Sequence, residues 1–221
     1  LGDVYKRQIL YTACMNVLGK VADSVSAIEV VYDGTTTFNA KRINDIFKDK
    51  KCNYTVMHDG GLGYSQNDSS VPATWKIDLS KEDWFAFEDN FGTSEEKAFI
   101  AYFKSFVPEL KRKYDKVFLL RNERQLHIYS FNGGERFEPD YVLFLHSNKE
   151  SGYEQLQVFI EPKGTHLLEK DSWKEKFLLE IEDKAVATKI FVDDNNYRIW
   201  GFHFYNEARR MTEFATDMSR L

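Results

Sequence analysis

Between Thr93 and Leu110 the apolar residues recur every three to four positions. Thr93-Ser94-Glu95-Glu96 opens the run, and Phe99, Phe103, Phe106 and Leu110 form one stripe of an amphipathic helix. The period then changes. Lys116-Val117-Phe118-Leu119-Leu120 reads as a strand, Leu126-His127-Ile128-Tyr129 as a second, and Asn132-Gly133-Gly134 as a tight turn. Two apolar strands follow, one starting at Asp140 and one ending at Glu161 and Lys163. Trp173, Phe177 and Ile181, spaced i, i+4 and i+8, predict a helix over residues 172–183. Lys189-Ile190-Phe191-Val192 reads as a strand and Asp193-Asp194-Asn195-Asn196 as a turn. From Tyr197 to Tyr205 the alternation predicts another strand, with Trp200, Phe202 and Phe204 on one face. The order α, several β, α, β, β defines a mixed α/β fold.

The first ninety residues are less periodic. Ala27-Ile28-Glu29-Val30-Val31-Tyr32 before Asp33-Gly34 reads as a strand into a turn, residues 42–47 as a helix, and Tyr54-Thr55-Val56-Met57 as a strand. Residues 59–70, rich in Gly, Asn and Ser, predict a loop, and a domain boundary is expected near Phe91. Asp3 to Gln8 look like the in-frame translation of a sequencing-library transposase adaptor. Residues 1–8 are therefore expected to be non-native, and the natural chain to extend further upstream.

Composition narrows the classes. The chain has 221 residues, 43% hydrophobic and 29% charged, enough for a sizeable core, and no apolar run approaches a membrane span. Cys14 and Cys52 are the only cysteines and have no paired spacing, which supports neither a disulfide framework nor a thiolate zinc site and fits a reducing cytoplasm. A net charge of −5 argues against a uniformly basic nucleic-acid binder, but an enzyme acting on DNA needs only a local positive surface. Lys111-Arg112-Lys113, Lys116, Arg121 and Arg124 are candidates, as are Lys170, Lys174 and Lys176; each cluster is equally well a solvated face.

The strand ends carry the chemistry. Strands as apolar as Tyr141-Val142-Leu143-Phe144-Leu145 and Leu156-Gln157-Val158-Phe159-Ile160 have no packing reason to carry Asp140, Glu161 and Lys163. In a strand, residues i and i+2 share a face, so Glu161 and Lys163 project together while Pro162 points away. If the strand of Asp140 pairs beside them, two hard oxygen ligands and a cation meet, a set suited to Mg2+ and to phosphodiester hydrolysis. Proline lacks a ladder donor, so the strand is expected to stop pairing regularly at Pro162.

Other features read as structure. Gly60-Gly61-Leu62-Gly63 lacks the Lys-Ser/Thr of a phosphate-binding loop, and His58, His166 and His203 have no zinc spacing. Asp193 and Asp194 fit a hairpin turn better than a metal site, and the alternating aromatics fit core packing better than base stacking.

Pro139-Asp140 followed by Glu161-Pro162-Lys163, behind a Glu-bearing helix, resembles the PD-(D/E)XK nuclease superfamily. Phe137 to Leu145, Phe159 to Gly164 and Trp173-Lys174-Glu175-Lys176-Phe177 look like the C-terminal endonuclease region of type III restriction enzyme restriction subunits. The resemblance spans roughly residues 91–205. It implies a restriction-endonuclease-like mixed central sheet flanked by helices, with an α-β-β-β-α-β core. The endonuclease domain would then occupy residues 91–221, and 9–90 would connect it to an upstream helicase. It also implies Asp140 and Glu161 as Mg2+ ligands, the Pro162 carbonyl as a further one, and Lys163 as the group that orients water and stabilises charge. A glutamate of the first helix, Glu95 or Glu96, would join them, although Glu96 also has the spacing of a capping box with Thr93. Double-stranded DNA and a modification methyltransferase subunit are the implied partners. Another nuclease of this fold, and a non-catalytic DNA-binding or interaction module, are the competing readings.

Overall fold

A computed structural model describes residues 2–26, 33–39, 41–48, 64–150, 152–184, 186–187 and 197–221. The expected strands at 27–32, 54–57 and 189–192, the turn at 193–196, the glycines at 60–63, His58 and Cys52 lie outside them. The chain forms two compact units, Leu1–Asp33 and Gly34–Leu221.

The first unit contains one helix, α1 (Gly2–Ser26), which runs without a break through residue 8. Its apolar side chains, Val4, Tyr5, Leu10 and Val17 among them, are exposed.

The second unit begins with a two-residue strand β1 (Thr37–Phe38) and a single helical turn α2 (Ile43–Ile46). Helix α3 (Ser94–Lys113) follows, then β2 (Lys116–Arg121), the two-residue strands β3 (Ile128–Tyr129) and β4 (Arg136–Phe137), β5 (Tyr141–Lys149) and β6 (Gly152–Ile160). Helix α4 (Ser172–Lys184), β7 (Val186–Ala187), β8 (Tyr197–Gly201) and α5 (Met211–Ser219) complete it. The main sheet has the order β2-β5-β6-β8; β2, β5 and β6 are antiparallel neighbours and β8 is parallel to β6. Helix, three strands, helix, strand is the expected core order, and the fold is mixed α/β with helices flanking a four-stranded mixed sheet.

The pleat explains the layering, because alternate residues face opposite sides. Tyr141, Leu143 and Leu145 of β5 join Val158 and Ile160 of β6 and meet Phe99, Phe103 and Leu110 of α3 and Phe214 and Met218 of α5. Val142 and Phe159 face the other way and meet Phe177, Leu178 and Ile181 of α4. Phe99 is the hub of the first core, with ring centroids 5.0 Å from Tyr141 and 5.5 Å from Tyr205. The β3–β4 turn uses Gly133 and Gly134 at φ +84° and +61°, where a Cβ would be strained.

Two expectations need correction. No boundary falls near Phe91, because Ile77, Leu79, Trp84 and Phe85 are buried in the same core as α3. Trp84 and Ala86 also continue the sheet, exchanging backbone hydrogen bonds with Leu119 at the free edge of β2. The aperiodic segment 64–90 packs through its aromatics, and its one regular element among the described residues is a single 3-10 turn at Leu79–Lys81. Secondly, Trp200 and Phe202 pack on the same side of the sheet as expected, but Phe204 does not. Strand β8 stops at Gly201, after which Phe202 enters the α3 core and Phe204 the α4 core.

Candidate functional site

Asp140 and Glu161 face each other by register. The last antiparallel pair of β5 and β6 is Tyr141 with Ile160, so the next residue on each strand is one of the two acids. The Asp140 backbone N–H donates to Glu161 Oε2 at 2.9 Å, and Glu161 Oε1 lies 2.7 Å from Lys163 Nζ. Regular pairing ends with β6 at Ile160, as expected. Beyond it Pro162 and Tyr205 form an isolated parallel bridge, in which Tyr205 N donates to the Glu161 carbonyl and Lys163 N to the Tyr205 carbonyl. Proline's missing donor is therefore accommodated, and Glu161 and Lys163 are held at both backbone ends.

Burial gives the site its electrostatic character. The Glu161 side chain is 4% exposed and that of Lys163 10%. Burial first, and the Glu161 and Glu96 charges second, push the Asp140 carboxyl well above the usual carboxylate range, against the pull of Lys163. Burial also raises Glu161, with Lys163 and the Asp140 N–H opposing. For Lys163, burial acts to lower the pKa, but Glu161, Asp171 and Asp140 outweigh it and hold the ammonium above its ordinary value. The site thus has more negative charge than one lysine neutralises.

Glu96 approaches from the first turn of α3 and serves two structural roles at once. Its Oε2 accepts from Thr93 N at 2.5 Å, closing the expected capping box, and its Oε1 pairs with Arg121 at 3.2 Å. Its charge still reaches Asp140. Glu95 accepts from Ser94 Oγ at 2.9 Å and borders Gly164, as does His166.

Several residues around the site carry no motif. Asn122 donates through Nδ2 to the Pro139 carbonyl at 2.9 Å and through its backbone N–H to the Asp140 carbonyl at 2.8 Å, fixing the Pro-Asp step. Asn206 Nδ2 donates to the Lys163 carbonyl at 2.7 Å. Asp171, just before α4, contacts Lys163 at 3.1 Å. A lone Asn or Asp at the end of a strand or the start of a helix reads as a turn or cap residue, which is why these positions give no sequence signal. Arg121, read as candidate positive surface, instead points inward to Glu96, Glu123 and Asn90. His203 pairs with Asp217 at 2.7 Å.

The donor set suits Mg2+, which keeps several waters and needs only one or two protein carboxylates. The buried Glu161 and the half-buried Asp140 supply that. Among the described residues no group of three or more His, Cys, Asp or Glu side chains is arranged to hold a metal, so no closed protein cage forms here. No helix among them is long and apolar enough to cross a membrane.

Fold and site together describe a layered α/β domain whose mixed sheet presents two carboxylates and a lysine at the ends of neighbouring strands. The chain belongs to the family described as HI_1054_C, C-terminal domain, whose model matches residues 31–217. It is similar to a Haemophilus influenzae protein whose name assigns it no activity, 30% identical over 204 residues, covering 89% of this chain and 41% of that protein. The chain therefore spans about two fifths of the length of that relative. No solved structure matches it.

Proposed function

We propose that this domain is a Mg2+-dependent DNA endonuclease of the PD-(D/E)XK kind. The observation that carries this reading is Asp140 set opposite Glu161 across two strand ends, with both carboxyl pKa values raised by burial and a charged Lys163 on Glu161. Asp140 and Glu161 would hold the cation, with the Pro162 carbonyl as a further ligand. Bound there, Mg2+ polarises a phosphoryl oxygen and lowers the pKa of a coordinated water. Lys163, kept protonated by its carboxylate neighbours, is no base at neutral pH; it orients the attacking water and offsets charge that builds on the phosphoryl oxygens. A substrate phosphate oxygen takes the water's proton. Lys174, close enough to influence Glu161, adds positive charge beside the acids for a DNA backbone.

We place the domain at the cleavage end of a type III-like restriction subunit, with double-stranded DNA as substrate and a modification subunit as partner of the longer protein. The match to two fifths of a longer relative supports only that domains of this family occur in a longer protein. The test is incubation of the chain with supercoiled plasmid and Mg2+. Nicked and linear products are expected, and EDTA, Asp140→Ala and Lys163→Ala should each abolish them. Cleavage that survives either substitution would sink the assignment.

A further inference from the structure

The Lys163 ammonium is held by two carboxylates rather than one. Glu161 Oε1 lies 2.7 Å away and Asp171 Oδ2 3.1 Å, and the same Asp171 oxygen takes Lys174 Nζ at 3.1 Å. The two acids come from different elements. Glu161 directly follows β6, whereas Asp171 sits in the turn before α4, fixed by its own N–H to the Leu167 carbonyl and by Lys174 N to its carbonyl, both 2.9 Å. The Asp171 side chain is 14% exposed, and its carboxyl is held below its ordinary range, burial opposing, by its hydrogen bonds to Lys163 and Lys174. The Lys163 backbone is equally fixed, N–H to Tyr205 and carbonyl from Asn206. Only the ammonium end of this lysine is free to swing.

Glu161 cannot serve the ammonium and a dication equally. A divalent cation on its carboxylate weakens that carboxylate's hold on Lys163 and repels the ammonium as well. A lysine with Glu161 as its sole partner would then turn towards solvent. We propose that Asp171 is a positioning residue that retains the Lys163 ammonium at the site while Glu161 is engaged by the cation. This rests on the nuclease reading for its purpose, but not for its geometry. Asp171 touches neither the cation nor the DNA. Its charge acts through Lys163.

The experiment has two readouts on the full chain. Lysine acylation by an N-hydroxysuccinimide ester, read by mass spectrometry at Lys163, reports how well the ammonium is held, with and without Mg2+. In the wild type labelling stays low in both conditions. In Asp171→Ala and in Asp171→Asn, which conserves volume should the alanine variant fail to fold, labelling rises several-fold and rises further with Mg2+. The second readout is cleavage. Both variants should lose about 10- to 100-fold in single-turnover rate, the range for outer-layer partners of a metal site. The Kd for DNA in Ca2+ should be unchanged, and Asp171→Glu should recover part of the rate. Wild-type labelling of Lys163 in both variants overturns the proposal, as does a lost rate that merely follows a lost melting temperature. The two readings fail differently. If Lys163→Ala cleaves like the wild type the nuclease assignment falls, while raised labelling in the Asp171 variants would still show that Asp171 holds the ammonium.

Discussion

Gln66, Asn90, Arg121 and Glu96 form one buried polar cluster beside Tyr141, and Asp140, Glu161 and Lys163 form another on the neighbouring residue. In the first, opposite partners meet throughout. Gln66 Nε2 donates to the Trp75 and Lys97 carbonyls, its Oε1 accepts from Asn90, and Asn90 Oδ1 accepts from Arg121 and the Tyr141 hydroxyl. Arg121 pairs with Glu96, whose other oxygen caps α3. In the second, two carboxylates face each other beside one lysine; burial raises the pKa of both acids, the Glu161 and Glu96 charges add to it for Asp140, and Lys163 opposes it. A satisfied network specifies structure, whereas a buried excess of one charge is stored where a ligand of the other sign will offset it. The same protein interior holds both, one residue apart.

Breaking the satisfied cluster should have the largest effect on folding. Arg121→Ala leaves Glu96 buried without its cation and takes one of two donors from Asn90 Oδ1, and urea unfolding should show a loss of about 3–5 kcal/mol. A loss below about 1 kcal/mol, the scale of a surface pair, would mean that the cluster is not the fixed block described here. Asn122→Ala comes next, since Asn122 joins the two regions. It strands the Pro139 and Leu126 carbonyls and the N–H groups of Gln125 and Leu126, for an expected loss of about 1–3 kcal/mol. Because it also frees the Pro139-Asp140 step, cleavage of plasmid at a temperature where the variant is fully folded should fall as well. Full activity there would separate Asn122 from the site.

How much of this the sequence discloses follows from periodicity. The α3 stripe of Phe99, Phe103 and Leu110, the apolar strands β5 and β6, and Phe177 and Ile181 of α4 are legible because each repeats with the period of its element. Asp140, Glu161 and Lys163 are legible because they break those patterns. The end of β8 is not, since alternation continues on paper to Tyr205. At Gly201 α4 lies so close that a Cβ would sit 2.3 Å from the Leu178 carbonyl oxygen, and nothing in the alternation announces that approach. Segment 64–90 is opaque for a related reason: Gln66 and Asn90 earn their places through partners far along the chain, and such pairing leaves no local signature. Glu96 is half legible, because the capping spacing is visible and its Arg121 partner is not.

The smallest expected effect, and the one of opposite sign, concerns the strained cluster itself. Asp140 has a folded-state pKa above its unfolded value, so its contribution to stability is fully present below the unfolded pKa and is lost as pH rises through the folded one. Around neutral pH, without a divalent cation, the Asp140 carboxyl therefore works against folding. Asp140→Asn keeps the shape and removes the charge. Its melting temperature should exceed that of the wild type at neutral pH by roughly 2–4 °C, about 1 kcal/mol for a chain of this size, and the gap should close as pH falls into the acid range. Added Mg2+ should close it from the other side, stabilising the wild type and not the variant, as binding to the folded state alone requires. Should Asp140→Asn melt below the wild type at neutral pH in EDTA, the contrast between the clusters would disappear, and Asp140 would be one more satisfied buried group like Asn90.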